Sequence, residues 1–252
     1  MSTPRRALVT GGTSGLGLAM ARALVEDGVD VVLTGRDADT AADVAADLGG
    51  PGRAHGLGVD TRDEAAVGAG TDRAVALLGG LDLLVLNAGL GMRTANPRFL
   101  SEPQPFWEVD PGAFRAVVDT NLTGYFLSAR AAIPALLDGG GRIVVVSMNH
   151  TTMVRRGFVP YGPSRAGAEA LARIMAADLE GSSVTVNILL PGGATRTGMV
   201  PEGADGEGFL EPEIMVPPLR WLCSDDAAGV HDERLVAAEF DTWLAARKRG
   251  NV

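Results

Sequence analysis

Two clusters of residues in this sequence have types and spacings that could do chemistry. Tyr161 and Arg165 lie four apart in a stretch of helical period, so they share one helix face. A free phenol titrates near ~10, and a neighbouring cation is what makes it useful near neutrality. The second cluster is "TGGTSGLG", Thr10 to Gly17, which follows a short apolar run and opens a helix. Glycines there permit unusual backbone angles and keep the helix N-terminal amides open, where a side chain would block a pyrophosphate. Three residues separate Gly11 from Gly15, so the motif is not the G-x-G-x-x-G form.

These clusters need elements to hold them. Apolar runs such as "VVLT", "LLVL" and "IVVVS" read as strands covered on both faces, and they alternate with longer stretches of helical period. The pattern predicts strands over Ala7 to Thr10, Asp30 to Thr34, Ala54 to Val59, Leu81 to Leu86, Arg142 to Ser147, Val184 to Leu189 and Arg234 to Phe240. Helices are expected over Gly15 to Asp27, Ala38 to Leu48, Arg62 to Leu78, Pro111 to Leu137, Tyr161 to Leu179, Pro212 to Cys223 and Thr242 to Arg247. No linker interrupts the run. The expected fold is therefore α/β: a single domain over 1–252, with a Rossmann-type, doubly wound, seven-stranded parallel sheet and helices on both faces. Two irregular segments, Gly91 to Asp110 and Gly192 to Gly208, directly follow strands at the edge where such folds bind ligands. The second, taken as about 192–210, reads as a mobile substrate lid.

With those elements in place, the sequence resembles the short-chain dehydrogenase/reductase family, whose T-G-x-x-x-G-x-G fingerprint the glycine turn matches residue for residue. The likeness runs along nearly the whole chain. "NAG" at Asn87, Ala88 and Gly89 ends the fourth strand, with Leu86 where the family usually has another Asn. "TNLTG", Thr120 to Gly124, resembles the family's asparagine motif and gives Asn121 the role of anchoring a proton-relay water. "YGPSR" from Tyr161 is similar to the active-site Y-x-x-x-K. "NILLPGG", Asn187 to Gly193, resembles the strand end that contacts nicotinamide.

What the resemblance implies is a nicotinamide dinucleotide held by Gly11, Thr13, Ser14, Gly15, Leu16 and Gly17. Asp60 and Thr61 would contact adenine, Asn87, Ala88 and Gly89 would line the middle of the cofactor, and Pro191, Gly192 and Thr195 would lie at the nicotinamide. Tyr161 would be the acid/base, with Arg165 holding the ribose. At the end of the second strand an acid would bind a ribose 2′-hydroxyl, whereas arginine can fork onto a 2′-phosphate. Gly35 stands where the acid would sit and Arg36 beside it, which points to NADP(H); Asp37 is the complication. The implied activity is an NADP(H)-dependent oxidoreductase interconverting a ketone and a secondary alcohol.

Two departures stand against this pattern. Arg165 replaces the family's lysine, and a guanidinium stays protonated where an ammonium could relay a proton. Lys248 is the one lysine among 22 basic residues, so a general drift toward arginine is a competing explanation. The family's serine would fall thirteen residues before the tyrosine, at Met148, and a thioether cannot orient a carbonyl. Ser147 and Asn149 are the candidate replacements, with His150 and Thr151 as further donors. The departures keep a second reading open: a cofactor-binding relative with impaired redox turnover, repurposed for non-redox chemistry or regulation.

Composition excludes other classes. The chain has 252 residues, 46% hydrophobic and 21% charged, with a net charge of −9, which is wrong for a nucleic-acid partner. His55, His150 and His231 lack ligand spacing, so no metal is expected. There is no G-x-S-x-G elbow for a hydrolase. One cysteine, Cys223, no signal-peptide core and no long apolar run give the expectation of a cytoplasmic protein without a membrane segment. Small residues Gly167, Ala168, Ala172 and Ala176, on the helix from Tyr161, would allow the close helix packing through which family members form dimers or tetramers. Met153, Phe158, Met199 and Phe209 hint at a greasy small-molecule substrate.

Overall fold

The computed structural model describes residues 4–200 and 208–250. Seven strands, β1 (Arg6–Val9), β2 (Asp30–Gly35), β3 (Ala54–Gly58), β4 (Leu83–Leu86), β5 (Gly141–Val146), β6 (Val184–Leu190) and β7 (Arg234–Val236), form one sheet in the order β3-β2-β1-β4-β5-β6-β7. Every pairing is parallel. The order reverses between β1 and β4, and the strand ends diverge there into a crevice.

The helices are α1 (Gly15–Glu26), α2 (Ala38–Ala46), α3 (Glu64–Leu78), α4 (Pro111–Val118), α5 (Gly124–Gly139), α6 (His150–Met153), α7 (Tyr161–Asp178), α8 (Val216–Cys223) and α9 (Phe240–Lys248). Alternation along the strands divides the core in two. Val9, Leu33, Val85, Val146 and Leu189 face Met20 and Leu24 of α1, Leu219 of α8 and Phe240 of α9. Leu8, Val32, Leu84, Val145 and Ile188 face Ala74 of α3, Ala132 and Leu136 of α5 and Ala172 of α7. Each fully buried aliphatic side chain contributes about 1.5–3 kcal/mol.

Local chemistry sets the helix starts. Asp37, Asp63 and Asp110 accept backbone N–H bonds as caps of α2, α3 and α4. Three expectations need correction. Sequence periodicity gave one helix from Pro111 to Leu137; a π-type turn at Asp119–Thr123 splits it, and the extra residue in that turn carries Asn121 inward. The last strand ends at Val236 rather than Phe240, because Ala237–Glu239 turns into α9. The alanines of α7 are also spoken for: Ala168, Ala172 and Ala176 are buried on the sheet, and a side chain at Gly167 would meet Leu122. The stripe brings helix to sheet within this chain.

Candidate active site

The crevice at the strand ends opens into a cleft of about 650 Å³. At one end lies the glycine turn, fixed from below by Thr10. The Thr10 hydroxyl donates to the Val85 carbonyl (3.1 Å) and accepts from the amides of Asn87 (2.9 Å) and Ala88 (3.2 Å). Asn87 returns the bond, its Nδ2 donating to the carbonyls of Thr10 (3.0 Å) and Gly11 (2.9 Å). The asparagine thus fastens the turn with its side chain. Gly11 adopts φ +64, and a Cβ at Gly17 would strike the Gly11 carbonyl and the Asn87 amide. Ser14 precedes α1 without a capping bond, and the first turn of α1 carries no acid. Its amides are left for an anion. The turn is therefore a cradle that fits a pyrophosphate. Thr13, Gly15, Leu16, Ala88 and Gly89 line the same cleft.

The end of the cleft beside β2 and β3 has a definite charge arrangement. Arg36, Asp60, Thr61 and Arg62 line it. Asp37 caps α2, its Oδ1 accepting from the Thr40 amide (2.7 Å), and hydrogen bonds from the Thr40 side chain and amide lower its pKa. A Cβ at Gly35 would press on Thr13 at 2.6 Å, so an acid has little room. Hydrogen bonds from Arg62, the shortest 2.6 Å, hold Asp60 down to about 2.

The other end is apolar. Met92, Met148, Met153 and Phe158 form a buried cluster against which Phe99 and Tyr161 pack. Met148, at the position counted back thirteen residues, thus belongs to the apolar cluster on which Tyr161 packs. The Tyr161 hydroxyl has Met199 Sδ as its partner, at 3.9 Å. Ser147, one residue earlier, points to the other side, as strand alternation requires. Its hydroxyl donates to Glu169 Oε1 (2.6 Å). Asn149 donates from Nδ2 to the Gly192 carbonyl (2.7 Å), tying the loop after β5 to the loop after β6. Pro191 and Gly192 line the cleft with Thr195, whose hydroxyl donates to Gly193 O (3.2 Å). Asn121 is fully buried. Its Oδ1 accepts from the Leu90 amide (2.7 Å), and its Nδ2 donates to Leu90 O and Ser164 Oγ, both at 3.0 Å. Both Nδ2 hydrogens are thus engaged, and Oδ1 keeps a second acceptor lone pair.

Arg165 lies deeper than the sequence implies, at 2% exposure. Its Nη1 donates to Tyr125 Oη (2.5 Å) and to the Val146 carbonyl (2.9 Å). The guanidinium carbon sits 5.5 Å from the Tyr125 ring centre and 5.3 Å from that of Tyr161. Burial works against its charge, yet attraction to Tyr125 and Tyr161 prevails and raises its pKa. Burial pushes the Tyr125 phenol up.

Sequence reasoning passed over Tyr125, Glu169 and Arg234. Glu169 accepts from Ser147, from Arg234 Nε (3.0 Å) and pairs with His150 Nε2 (3.0 Å), while Arg234 Nη2 donates to Met148 O (2.8 Å). Burial disfavours the Glu169 charge, but these bonds outweigh it and lower its pKa. The signal was available, since Tyr161, Arg165 and Glu169 repeat every four residues on one helix face. Tyr125 carried no comparable sign, because a tyrosine in an apolar helix reads as core. The lid expectation is described only in part. Thr195 pairs with Leu210, Arg93 Nη1 donates to Gly198 O (3.0 Å), and 201–207 lie outside the described residues.

Comparison with known proteins agrees with this geometry. The family model described as short chain dehydrogenase matches residues 5–207. Cis-4-hydroxycyclohexanecarboxylate dehydrogenase of Sinomonas cyclohexanicum is 35% identical over 239 residues, 90% of this chain and 92% of that protein. 2-dehydro-3-deoxy-L-rhamnonate dehydrogenase (NAD(+)) of Sphingomonas sp. (strain SKA58) is 32% identical, with 74% of this chain and 71% of that protein covered. Among solved structures, a short chain dehydrogenase from Burkholderia cenocepacia J2315 in complex with NADP superposes with a TM-score of 0.80 at 28% identity, over 94% of this chain and 97% of that one. The matched span contains both the glycine turn and the Tyr161 face of α7, and the chain belongs to the short chain dehydrogenase family of oxidoreductases.

Proposed function

We propose that this protein is an NADP(H)-dependent oxidoreductase that interconverts a ketone and a secondary alcohol, with Tyr161 as acid/base. The carrying observation is the cleft itself: one crevice joins an open glycine cradle to a phenol backed by a buried cation. The nicotinamide supplies or accepts the hydride. Tyr161 Oη gives its proton to the carbonyl oxygen in reduction and takes it from the hydroxyl in oxidation, and Arg165 steadies the phenolate form. Gly11 to Gly17 would cradle the pyrophosphate. Arg36, with Asp37 occupied as a cap, favours the 2′-phosphate of NADP(H); the bound NADP of the Burkholderia cenocepacia relative is in keeping with this, and the NAD(+) in another relative's name is the competing preference.

Walls of methionine and phenylalanine suit an apolar substrate body. Arg93 and Arg155 also line that half, whereas Asp60 is the one carboxylate among the described lining residues and sits at the far end. A ketone or alcohol carrying an anionic group fits this balance, as does the carboxylate in the name of the Sinomonas cyclohexanicum relative. The 192–210 segment, of which 201–207 lie outside the described residues, serves as the substrate lid of a single catalytic domain in this reading. It is a cytoplasmic homo-oligomer, dimer or tetramer, and exposed Phe114, Phe126 and Ile174 support the association. No helix among the described residues is long and apolar enough to cross a membrane.

The test is nicotinamide absorbance across a panel of ketones, beside a binding titration with NADPH and NADH. Turnover with NADPH supports the proposal. Tight NADPH binding without oxidation on any ketone favours the second reading, a cofactor-binding relative without redox turnover, for which the absent hydroxyl at Met148 speaks.

A further inference from the structure

Arg165 is a buried cation that no carboxylate among the described residues neutralises. The nearest candidate on its own helix face, Glu169, is engaged by Ser147, His150 and Arg234. Burying a charge without compensation is costly, and here two phenols supply the compensation. Tyr125 from α5 and Tyr161 from α7 flank the guanidinium with their rings. Tyr125 Oη accepts from Nη1 and donates to Val146 O (3.3 Å), the same carbonyl that Nη1 reaches at 2.9 Å. Three groups thus close a triangle. On the far flank a Cβ at Gly89 would collide with Nη2, while Nε has no partner. The guanidinium is walled in, and the hydrogen bonds of Nη1 to the Tyr125 hydroxyl and the Val146 carbonyl hold its rotation.

We propose that Tyr125 is a positioning residue of this site, its hydroxyl pinning the Arg165 guanidinium against the ring of Tyr161. The inference rests on the reading of Tyr161 as the acid/base and deepens it. Around the phenol, the loop after β4 presents Asn87 and Gly89, β5 ends in the Val146 carbonyl and the segment after β6 brings Met199, while Arg93 and Arg155 line the same half of the cleft, Arg155 over the Phe158 ring and Arg93 bonded to Gly198 O. Arg165 is the buried cation set against the Tyr161 ring, and Tyr125 decides where that cation stays. Phenylalanine at 125 keeps the ring but leaves Nη1 held by the Val146 carbonyl alone. Water then takes the vacated place, screens the charge, and leaves Tyr161 holding its proton more tightly.

The sequence makes this unusually direct to measure, because the chain contains two tyrosines, both beside Arg165. Tyrosinate absorbance is titrated in the full-length wild type, in Tyr161→Phe to assign the two transitions, and in Tyr125→Phe, where Tyr161 is the sole reporter. Tyr161 in Tyr125→Phe is expected to ionise about one unit higher than in the wild type. Tyr125→His, whose ring nitrogen can accept from Nη1, should restore the wild-type midpoint. A Tyr161 midpoint unchanged or lowered in Tyr125→Phe overturns the proposal, as does a histidine variant shifted as far as phenylalanine. The measurement needs no turnover. A wild type that oxidises NADPH with no ketone yet shows the shift would sink the functional reading alone; turnover without the shift would sink this inference alone.

Discussion

The two halves of the cleft treat the family pattern differently. At the glycine turn the quoted residues lie together along one cleft, and the supporting bonds run through backbone groups and the side chains of Thr10 and Asn87. At the phenol the side chains are rewired: Met148 faces Tyr161, Ser147 turns to Glu169, and Arg165 sinks between two tyrosines. Cradling a pyrophosphate depends on backbone amides and empty space, which tolerate few solutions. Setting the proton affinity of a phenol depends on charge and distance, which several arrangements can meet.

The comparison predicts separable losses. Tyr161→Phe should cut kcat by about a thousandfold and leave NADPH affinity, read by fluorescence titration, within a factor of about two; a parallel loss of binding would merge the halves. Arg36→Glu should do the reverse, weakening NADPH about thirtyfold, as loss of a charge-assisted bond does, with kcat at saturation unchanged. Met148→Ser puts a hydroxyl beside the phenol and should raise kcat about tenfold, a modest share of what one oriented donor supplies. No gain would mean that the apolar wall itself orients the substrate.

Glu169→Gln sharpens the contrast at the smallest scale, through stability. The folded-state pKa of Glu169 is depressed, so its contribution is full above the unfolded carboxylate value near ~4.3 and is lost as pH falls through the folded value. At neutral pH the variant should be about 1–2 kcal/mol less stable, and its thermal midpoint should converge with the wild type's in acid. Curves that stay parallel down to acid pH would show that the carboxylate charge contributes nothing.

The fold was legible because parallel strands buried on both faces leave unbroken apolar runs, and "LLVL" and "IVVVS" could hardly be anything else. The glycine turn was legible for the same reason: only a missing side chain meets the requirement at Gly17. Boundaries were less so. The π-type turn at Asp119–Thr123 leaves no mark on hydrophobic period, and β7 merges into α9 through residues that suit either state. In the site, Tyr161 and Arg165 were found by spacing, but spacing does not say which way a guanidinium points. That direction is set by Tyr125, forty residues away in sequence. Asp37 stayed a complication for a similar reason, since whether an acid meets a ribose or caps a helix depends on one rotamer.

Met199 carries a last consequence. A thioether sits on the hydroxyl of Tyr161, so under the proposed function an incoming ketone would first have to evict it. A compact, well-hydrated ketone offers little to replace those contacts, whereas a bulky hydrocarbon frame can lie where the methionine lay. Selection against small polar carbonyls would then be exercised at the door, before any bond is made or broken.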